Sequence, residues 1–492
     1  MYAFSRTFLA AALTAALSGC AVGPDYHRPD LAVPEHFTRE APQTTAASEG
    51  PGGEAQHFDS AAKLPQQWWT AFGSPEINAL VERAFAHNPT VDAAKAALKQ
   101  AHESTAAQFD AFFPVLQANY SASRQSNPVG TISPTLTSGD PIYTLHTAQL
   151  NVSYAPDVFG LNRRTVESLS AQEAAQRYQL QAVYTTLASN VVSTAIQLAA
   201  LDEQITAVNE QIVANQKALD ILHQQAKAGF ASGLDVASQE AAFAQVQQAL
   251  PPLQKQREQT RDMLAVLVGT APSDTTVVNI TLDGVHLPQA LPLALPSELV
   301  KQRPDVRAAE EQVHAASAGV GIAIANRLPQ FSITGNYGGT ATEFSQMFKS
   351  GNRFWGLTGN LAETLFDFGA LKHHQNAAEA ALDQATAQYR GVVLGAFQNM
   401  ADTLYALDAD AKGLAASVNA ERATKRSLDL TRRQLDLGAV NALALVTAEQ
   451  AYQQARVARL QAQATRFADT VALYQALGGG WQTDKERAAG NS

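Results

Sequence analysis

The chain has 492 residues, of which 46% are hydrophobic and 16% are charged, and its formal net charge is -10 at pH 7. This composition supplies enough apolar side chains for a core or a membrane surface and excludes a largely disordered chain. The negative charge disfavours non-specific binding to nucleic acid, which requires a basic surface.

The N-terminus has the pattern of a secretory signal. Arg6 precedes an apolar stretch over residues 8–17, which is too short to cross a bilayer as a helix. The stretch leads into Leu17-Ser18-Gly19-Cys20, and Cys20 is the only cysteine of the chain. This sequence resembles the bacterial lipobox, which implies cleavage before Cys20 and covalent attachment of lipid, including palmitate, to that residue. The alternative is an ordinary signal peptide with a coincidental cysteine. Ala21 follows where aspartate would favour the inner membrane, so the route to the outer membrane stays open.

An internal duplication organises the rest of the chain. Pro89 and Pro114 have counterparts at Pro304 and Pro329, which both lie 215 residues further on. The offset then falls once, to 209, and further pairs follow: Phe159/Phe368, Gly160/Gly369, Gly229/Gly438, Leu234/Leu443, Glu240/Glu449 and Gly269/Gly478. Each half is therefore predicted to contain a helix, a strand-bearing segment, a long helix, a turn and a second long helix.

This duplication sets the predicted domain boundaries. A connector with four prolines joins the two repeats, and its run Thr276–Leu282 is predicted to be a strand. The predicted parts are a signal peptide (1–19), a lipidated, extended N-terminal tether (20–65), the first repeat (66–269), the connector (270–296), the second repeat (297–480) and a polar C-terminal tail (481–492).

The first long helix is predicted from Leu161 to Ala228, because these 68 residues contain neither Gly nor Pro. Unbroken, it would be about 100 Å long. Apolar residues recur every seven positions on two lines: Leu180, Leu187, Leu201, Val208 and Leu222 on one, and Tyr184, Val191, Leu198, Ile205, Ile212 and Leu219 on the other. Sustained heptads predict coiled-coil packing. From this segment alone, a plain coiled-coil rod is the alternative.

The segments between the helices alternate with a period of two and predict four strands in two hairpins. Their apolar positions are Leu116, Ala118, Tyr120, Ala122, Ala148, Leu150, Val152, Tyr154, Phe331, Ile333, Tyr337, Trp355, Leu357 and Leu361. Such strands are typical of a water-filled transmembrane barrel, although a half-buried soluble sheet has the same pattern. Four strands cannot close a barrel, and an open edge in lipid leaves backbone groups unsatisfied. A trimer with twelve strands is the predicted solution.

Four motifs, in order, resemble the TolC family of outer-membrane efflux channels, and specifically its NodT-like lipoprotein branch. They lie at residues 20–29, 68–75, 228–236 and 437–443. The resemblance implies an α+β membrane protein: a trimeric twelve-stranded barrel in the outer membrane, continued by a helical tunnel in the periplasm. The connector, together with the chain ends, would form an equatorial belt. It further implies an RND-type tripartite assembly, in which a periplasmic adaptor and an inner-membrane pump pass drugs or toxic compounds outward without chemistry. No cofactor is implied beyond the lipid on Cys20.

The turns between the long helices are the candidate functional sites. Gly229 and Gly438 can take the left-handed conformation that ends a helix, and Ser232 and Asn441 are good N-caps for the returning helix. Asp235 suits the first turn of that helix electrostatically. Together with Leu234 and Leu443, these residues are the predicted adaptor-docking tips, with Asp235 as the candidate gate. The simpler alternative is helix capping alone.

One departure from the family concerns the second tip. The resemblance leads us to expect acidic residues six and nine positions after the second turn glycine, where they form constriction rings. This chain has Ala444 and Thr447 at those positions. An acidic ring from the second repeat is therefore not expected, and apolar contacts are expected to hold the closed mouth.

No enzymatic activity is predicted. Glu311 and His314 have the spacing of helical di-iron ligands, but the repeat equivalents, Ala96 and Lys99, cannot bind a metal. The pair His373-His374 has no partner signal, and no nucleotide-binding loop or nucleophile motif is present. The remaining alternatives are a duct for type I protein secretion and a periplasmic coiled-coil structural lipoprotein. The four strands argue against the second, because a rod has no use for them.

Overall fold

The computed structural model describes residues 21–39, 44–59, 62, 64–126, 142–274 and 280–479. The signal peptide, Cys20 and the polar tail therefore lie outside the described residues. The chain divides into two compact units. The strand unit is the described part of Met1–Pro29, Leu98–Ala175 and Ala309–Tyr389, and the helical unit is the described part of Asp30–Ala97, Gln176–Ala308 and Arg390–Ser492.

Within these ranges the structure is largely helical. The helices are α1 (Pro75–His87), α2 (Pro89–Asp110), α3 (Leu161–Lys227), α4 (Gly233–Leu267), α5 (Pro296–Gln302), α6 (Pro304–Ala325), α7 (Ala370–Asp436) and α8 (Ala442–Ala476). The strands are β1 (His57–Asp59), β2 (Val115–Ser126), β3 (Ile142–Tyr154), β4 (Ala290–Pro292), β5 (Gln330–Ala341) and β6 (Arg353–Ala362). Helices α2 and α6 have 22 residues each, α3 and α7 have 67, and α4 and α8 have 35. Among the described residues, no helix combines the length and the hydropathy needed to cross a membrane.

The strand unit contains a four-stranded antiparallel sheet in the order β2-β3-β5-β6. The two predicted hairpins, β2–β3 and β5–β6, are confirmed, and β3 pairs with β5 to join them. The register aligns Ala118, Leu150, Tyr337 and Trp355 in one row across the sheet. Since residues facing each other across a ladder share a face, every predicted apolar position lies on the same face.

No described part of the chain covers this apolar face. The exposed fraction of its large side chains ranges from 36% at Phe331 to 78% at Trp355. Tyr154 is the exception, since it is partly buried. The opposite face carries mainly uncharged polar residues: Gln117, Asn119, Ser121, Ser123, Gln125, Thr147, Gln149, Asn151, Ser153, Gln330, Ser332, Thr334, Asn336, Thr340, Thr358 and Asn360. The sheet therefore presents one apolar and one polar surface.

The core of the helical unit is built around the Trp68-Trp69 motif. Both indoles are buried in a 3-10 turn over Trp68–Phe72, which Gly73 ends at a φ of 66°. The Trp68 ring stacks on Tyr474, with centroids 5.1 Å apart. The surrounding core includes Val191, Val192 and Ile196 of α3 and Phe467 of α8. The family-like motif at residues 68–75 thus has a packing role.

The predicted heptad lines of α3 lie inward, and two buried polar residues, Thr194 and Asn215, interrupt the first line. Leu187, Leu201, Val208 and Leu222 are buried, as are Val191, Leu198 and Leu219. Asn215, which interrupts the first line, is 1% exposed. The Gln239 side chain of α4 donates to both the Asn215 backbone oxygen and its Oδ1, each at 3.2 Å. This pair ties α3 to α4 inside their apolar seam.

The connecting segments have features that the sequence did not predict. Within the predicted extended tether, residues 44–59 are docked on α8, where Arg466 donates to the carbonyl oxygens of Gly52 at 2.8 Å and Glu54 at 2.6 Å. Arg466 is fully buried, and β1 pairs in parallel with β4. The segment docks because it supplies the carbonyl acceptors that a buried guanidinium requires.

The connector strand predicted at Thr276–Leu282 is wrong in its described part. Leu282–Gly284 forms a 3-10 turn, and Ile280 and Leu282 are buried in the core of the helical unit. The two described apolar residues of this run, Ile280 and Leu282, therefore pack into the core and do not pair in a sheet. The connector strand that the structure does describe is β4, and residues 275–279 lie outside the described residues.

Candidate functional site: the helix tips and the N-terminal segment

At the first tip, α3 ends and α4 begins within five residues. Gly229 has a φ of 81°. Its backbone N–H donates to the Ala226 oxygen at 3.1 Å, and the Phe230 N–H donates to the Gln225 oxygen at 2.8 Å. This pair of bonds is the Schellman motif that satisfies the last carbonyls of a helix. The predicted left-handed glycine is confirmed.

The start of α4 is closed by a capping box. The Asp235 N–H donates to Ser232 Oγ at 3.2 Å, while the Ser232 N–H and hydroxyl donate to Asp235 Oδ2 at 3.0 Å and 2.7 Å. The predicted N-cap is confirmed, and Asp235 completes it reciprocally. Because the hydroxyl and the backbone N–H of Ser232 both donate to its carboxylate, the pKa of Asp235 is lowered from its usual value.

The second tip repeats the glycine geometry with a simpler cap. Gly438 has a φ of 71°, and the Ala439 N–H donates to the Gln434 oxygen at 2.8 Å. The Asn441 side chain accepts from the Ala444 N–H at 3.1 Å, so this predicted N-cap is also confirmed. Thr447, at the other position where an acid was expected, donates its hydroxyl to the Leu443 oxygen at 2.9 Å. No acidic residue lies in the first turn of α8.

Both tips expose large apolar side chains. Leu234 is 76% exposed and Leu443 is 48% exposed, as suits a docking surface, and two further residues join them. Phe230 is 85% exposed and Leu437 is 83% exposed, and the sequence reasoning missed both. The available signal was position, since each residue adjoins a turn glycine, where an apolar side chain has no helix partner to cover it.

The segment that follows Cys20 is held in the strand unit. Arg164 of α3 donates to the Val22 oxygen at 3.0 Å and to Asp25 at 2.9 Å. Arg28 forms an ion pair with Glu310 of α6 at 2.9 Å. A Cβ built on Gly160 would lie 2.7 Å from the Ala21 Cα, so only glycine fits there. The segment is thus fixed up to the residue that adjoins the predicted lipid attachment site.

Glu311 and His314, which have the spacing of di-iron ligands, lie beside the residues that hold this N-terminal segment. His314 Nδ1 lies 3.3 Å from Glu311, and its Nε2 lies 3.2 Å from Glu167. In the part of the chain that the structure describes, no group of three or more His, Cys, Asp or Glu side chains is arranged to hold a metal ion. His373 and His374 lie in the exposed first turn of α7. The contacts of His314 give it a structural role beside the N-terminal segment.

A second ionisable cluster, which the sequence reasoning missed, lies in the helical unit. Burial raises the pKa of Asp410 to about 7, and a hydrogen bond with Asp469 adds to the shift, while the charge of Arg466 opposes it. Arg466 in turn holds residues 44–59. This region therefore contains one carboxyl group, that of Asp410, whose pKa is raised to about 7 by burial.

The chain combines an antiparallel sheet that has one apolar and one polar face with two 67-residue helices, each followed by a capped turn and a returning helix. This combination defines a TolC-like outer-membrane channel. Solved structures agree. The chain is similar to the outer-membrane channel OprN, with 28% identity, a TM-score of 0.84 and coverage of 94% of this chain and 100% of that one. The MtrE outer-membrane channel of Neisseria gonorrhoeae has 25% identity, a TM-score of 0.80 and coverage of 94% and 99%.

The chain belongs to the outer membrane efflux protein family, whose model matches residues 80–270 and 295–479. It is 30% identical to the pyoverdine export outer membrane protein OpmQ of Pseudomonas aeruginosa over 430 residues, covering 86% of this chain and 89% of that protein. It is 25% identical to the cation efflux system protein CusC of Escherichia coli over 474 residues, covering 95% and 97%. The predicted family, its location in the outer membrane and its role in efflux are confirmed.

Proposed function

We propose that three copies of this chain form the exit duct of a tripartite efflux assembly and pass small molecules from the periplasm to the exterior. The observation that carries the proposal is the sheet with one apolar face and two open edges. Its edge strands, β2 with 12 residues and β6 with 10, pair with no further strand among the described residues. In hydrocarbon each unpaired backbone group costs several kcal/mol, so the edges need partners from other copies. Three copies supply twelve strands.

The polar face supports a water-filled interior. It would line the duct with amide and hydroxyl groups, which suit hydrated solutes and favour neither sign of charge. Relatives carry names as different as pyoverdine export and cation efflux. This range supports a duct in which an inner-membrane pump selects the compound.

The tips and the N-terminus complete the assembly. The apolar side chains exposed beside Gly229 and Gly438 suit contact with a periplasmic adaptor, because exposed apolar patches on soluble surfaces mark interaction sites. The matched lengths of the paired helices support two structural repeats that present one tip each. Lipid on Cys20 would add an anchor beside the barrel.

Disulfide cross-linking tests the trimer directly. Ser121→Cys on β2 is combined in turn with Thr358→Cys, Asn360→Cys or Ala362→Cys on β6. At least one combination should give a ladder of linked species that ends at three chains. The matched control is Asn151→Cys with Asn336→Cys, which are facing residues of β3 and β5 in one chain. Its disulfide should form within the chain and leave the apparent molecular mass at that of a monomer. A ladder that ends at two chains or continues past three, or no ladder while the control pair forms, would refute the trimer.

A further inference from the structure

The four strands of the sheet contain only two residues with permanently charged side chains, Arg124 and Arg353. The register places both on the apolar face. Arg353 faces Gly339, which lies in the same row as Ala148 and Tyr120. Arg124 faces Thr144, two rows further toward the loops. Both arginines therefore lie at the end of the sheet where the hairpin loops are, and on the face that the proposed function turns toward lipid.

Their depth on that face fits a membrane boundary. The rows from Phe331 to Tyr337 carry apolar side chains, and the Arg353 row follows immediately. From Phe331 to Gly339 the strand rises by about 26 Å along its own axis at roughly 3.3 Å per residue, which is about 20 Å along the membrane normal at a barrel tilt of roughly 40°. The Arg124 row, four residues further along the strand, would lie at about 30 Å. The apolar band of an outer-membrane barrel is about 25 Å tall, so its boundary falls between the rows of the two arginines.

Aromatic residues mark the same boundary. Tyr120 Oη lies 2.9 Å from His146 Nδ1, and the Phe344 ring packs edge-on against Tyr120 with centroids 5.9 Å apart. Trp355, one row below Arg353, is 78% exposed. Such side chains form girdles at membrane interfaces, where one end of the ring is apolar and the other is hydrated.

The guanidinium groups are available to a ligand. Arg353 Nε donates to the Phe348 oxygen at 2.9 Å, which orients the group and leaves its terminal nitrogens without an acceptor among the described residues. Arg124 is exposed and pairs with no described acid. The charged residues of the neighbouring β5–β6 loop are Lys349 and Glu343, so the boundary stays net basic in the described residues.

The two arginines lie on opposite edge strands, Arg353 on β6 and Arg124 on β2. In a closed ring of copies, β6 of one chain pairs with β2 of the next. Arg353 of one copy and Arg124 of its neighbour would then flank the same junction, at the outer-leaflet boundary. Within one chain, two strands separate β2 from β6, so neither copy completes the site alone.

We propose that Arg353 of one copy and Arg124 of the next bind the phosphate groups of a phosphorylated outer-leaflet glycolipid at each of three junctions. The inference rests on the proposed trimeric barrel. Phosphate is the fitting ligand because a planar guanidinium donates two parallel bonds to it, while the apolar rows below receive the acyl chains. The lipid would seal the junction where two edge strands meet.

Native mass spectrometry of the detergent-purified trimer tests this, with added diphosphoryl lipid A as the probe. We expect up to three bound lipids per trimer, and about tenfold weaker binding for the double variant Arg124→Gln/Arg353→Gln. The matched control is Arg426→Gln/Arg433→Gln, which removes the same charge from exposed positions of α7 and should bind as the native protein does. Arg353→Lys keeps the charge but loses the planar guanidinium that can donate two parallel bonds to a phosphate. This variant should bind the lipid with intermediate strength.

Lipid A without its phosphates separates recognition of the headgroup from general lipid contact. It should bind the native trimer about as weakly as the double variant binds the diphosphoryl form. Equal binding of both lipids, or undiminished binding to the double variant, would overturn the inference while leaving an intact trimer and the proposed duct untouched. Absence of a trimer in the native sample would instead reject the duct, and the junction site with it.

Discussion

Tyr26 stacks on His314, with ring centroids 4.4 Å apart and planes inclined by 19°. The Tyr26 hydroxyl also donates to Glu310 at 3.5 Å. Burial, together with the charge of Glu310, raises the pKa of this phenol, so it stays protonated and able to donate. This contact joins the segment after the predicted lipid site to α6, so the folded strand unit fixes the position of that segment.

Replacing Tyr26 with alanine should loosen that segment. An aromatic pair contributes about 0.5–1.5 kcal/mol beyond its buried area, so amide exchange over residues 21–29 should accelerate by about two- to tenfold. Hydrogen exchange with mass spectrometry measures this, and His27→Ala, at an exposed neighbour, is the control that should change little. Equal rates in both variants would show that the stacking does not hold the segment.

Replacing Cys20 with serine should abolish palmitate labelling and leave an unprocessed precursor. The reason is chemical, because Cys20 carries the only thiol in the chain that could accept a lipid. Metabolic labelling followed by gel analysis gives both readouts. Labelling that persists in the variant would refute lipid attachment at this residue.

Valine at Gly229 or Gly438 should impair docking and leave assembly intact. A Cβ at either position meets nothing within 4 Å, so the cost comes from the positive φ alone, about 1–3 kcal/mol. The barrel and the helix seams should still form, while drug resistance falls because the tip changes shape. Gly233→Val is the matched control, since that residue also lies in open space but without a positive φ. Unchanged resistance in both tip variants would remove the tips from the docking surface.

Lysine at Asp235 should alter single-channel conductance in a planar bilayer while trimers still form. Three copies would exchange an acidic ring for a basic one at the proposed tunnel mouth. Asp235→Asn removes the charge but keeps an acceptor for the cap, so it should shift conductance in the same direction and by less. If the lysine variant conducts as the native channel does, Asp235 serves only to cap α4.

The stability of the helical unit should rise as the pH falls from 8 to 5.5. The folded-state pKa of Asp410 is raised to about 7 from its usual 3.8, so the folded protein holds a proton that the unfolded chain releases. The stabilisation is fully present below about pH 4 and is lost as the pH rises through 7. The groups facing Asp410 are Asp469 and Arg466, and Arg466 also faces Glu54.

Melting temperatures at the two pH values measure this dependence. Asp410→Asn should flatten it, because the amide cannot titrate, whereas Asp262→Asn, at an exposed position of α4, should leave it as in the native protein. A native protein that melts at the same temperature at both pH values would contradict the raised pKa of Asp410.

The features that sequence predicted correctly are those with local causes. Gly229 and Ser232 predict a helix end and a helix start within four residues. The two faces of the strands follow from the alternation of apolar and polar residues alone. What the sequence could not show depends on distant partners. Arg466 binds the carbonyl of Gly52, 414 positions away, and nothing near either residue signals the other. The raised pKa of Asp410 likewise depends on burial and on Asp469, which lies 59 positions away on α8.

The polar pair between Asn215 and Gln239 has a mechanical consequence for the first tip. Sliding α4 along α3 by one turn, 5.4 Å, would separate the two amides and leave buried groups without partners, at about 1–3 kcal/mol. Bending or rotating the two helices together costs nothing of this kind. The pair therefore resists sliding of α4 along α3 and fixes how far the first tip extends from the rest of the helical unit. Widening of the proposed tunnel mouth at this tip is therefore expected to move α3 and α4 together.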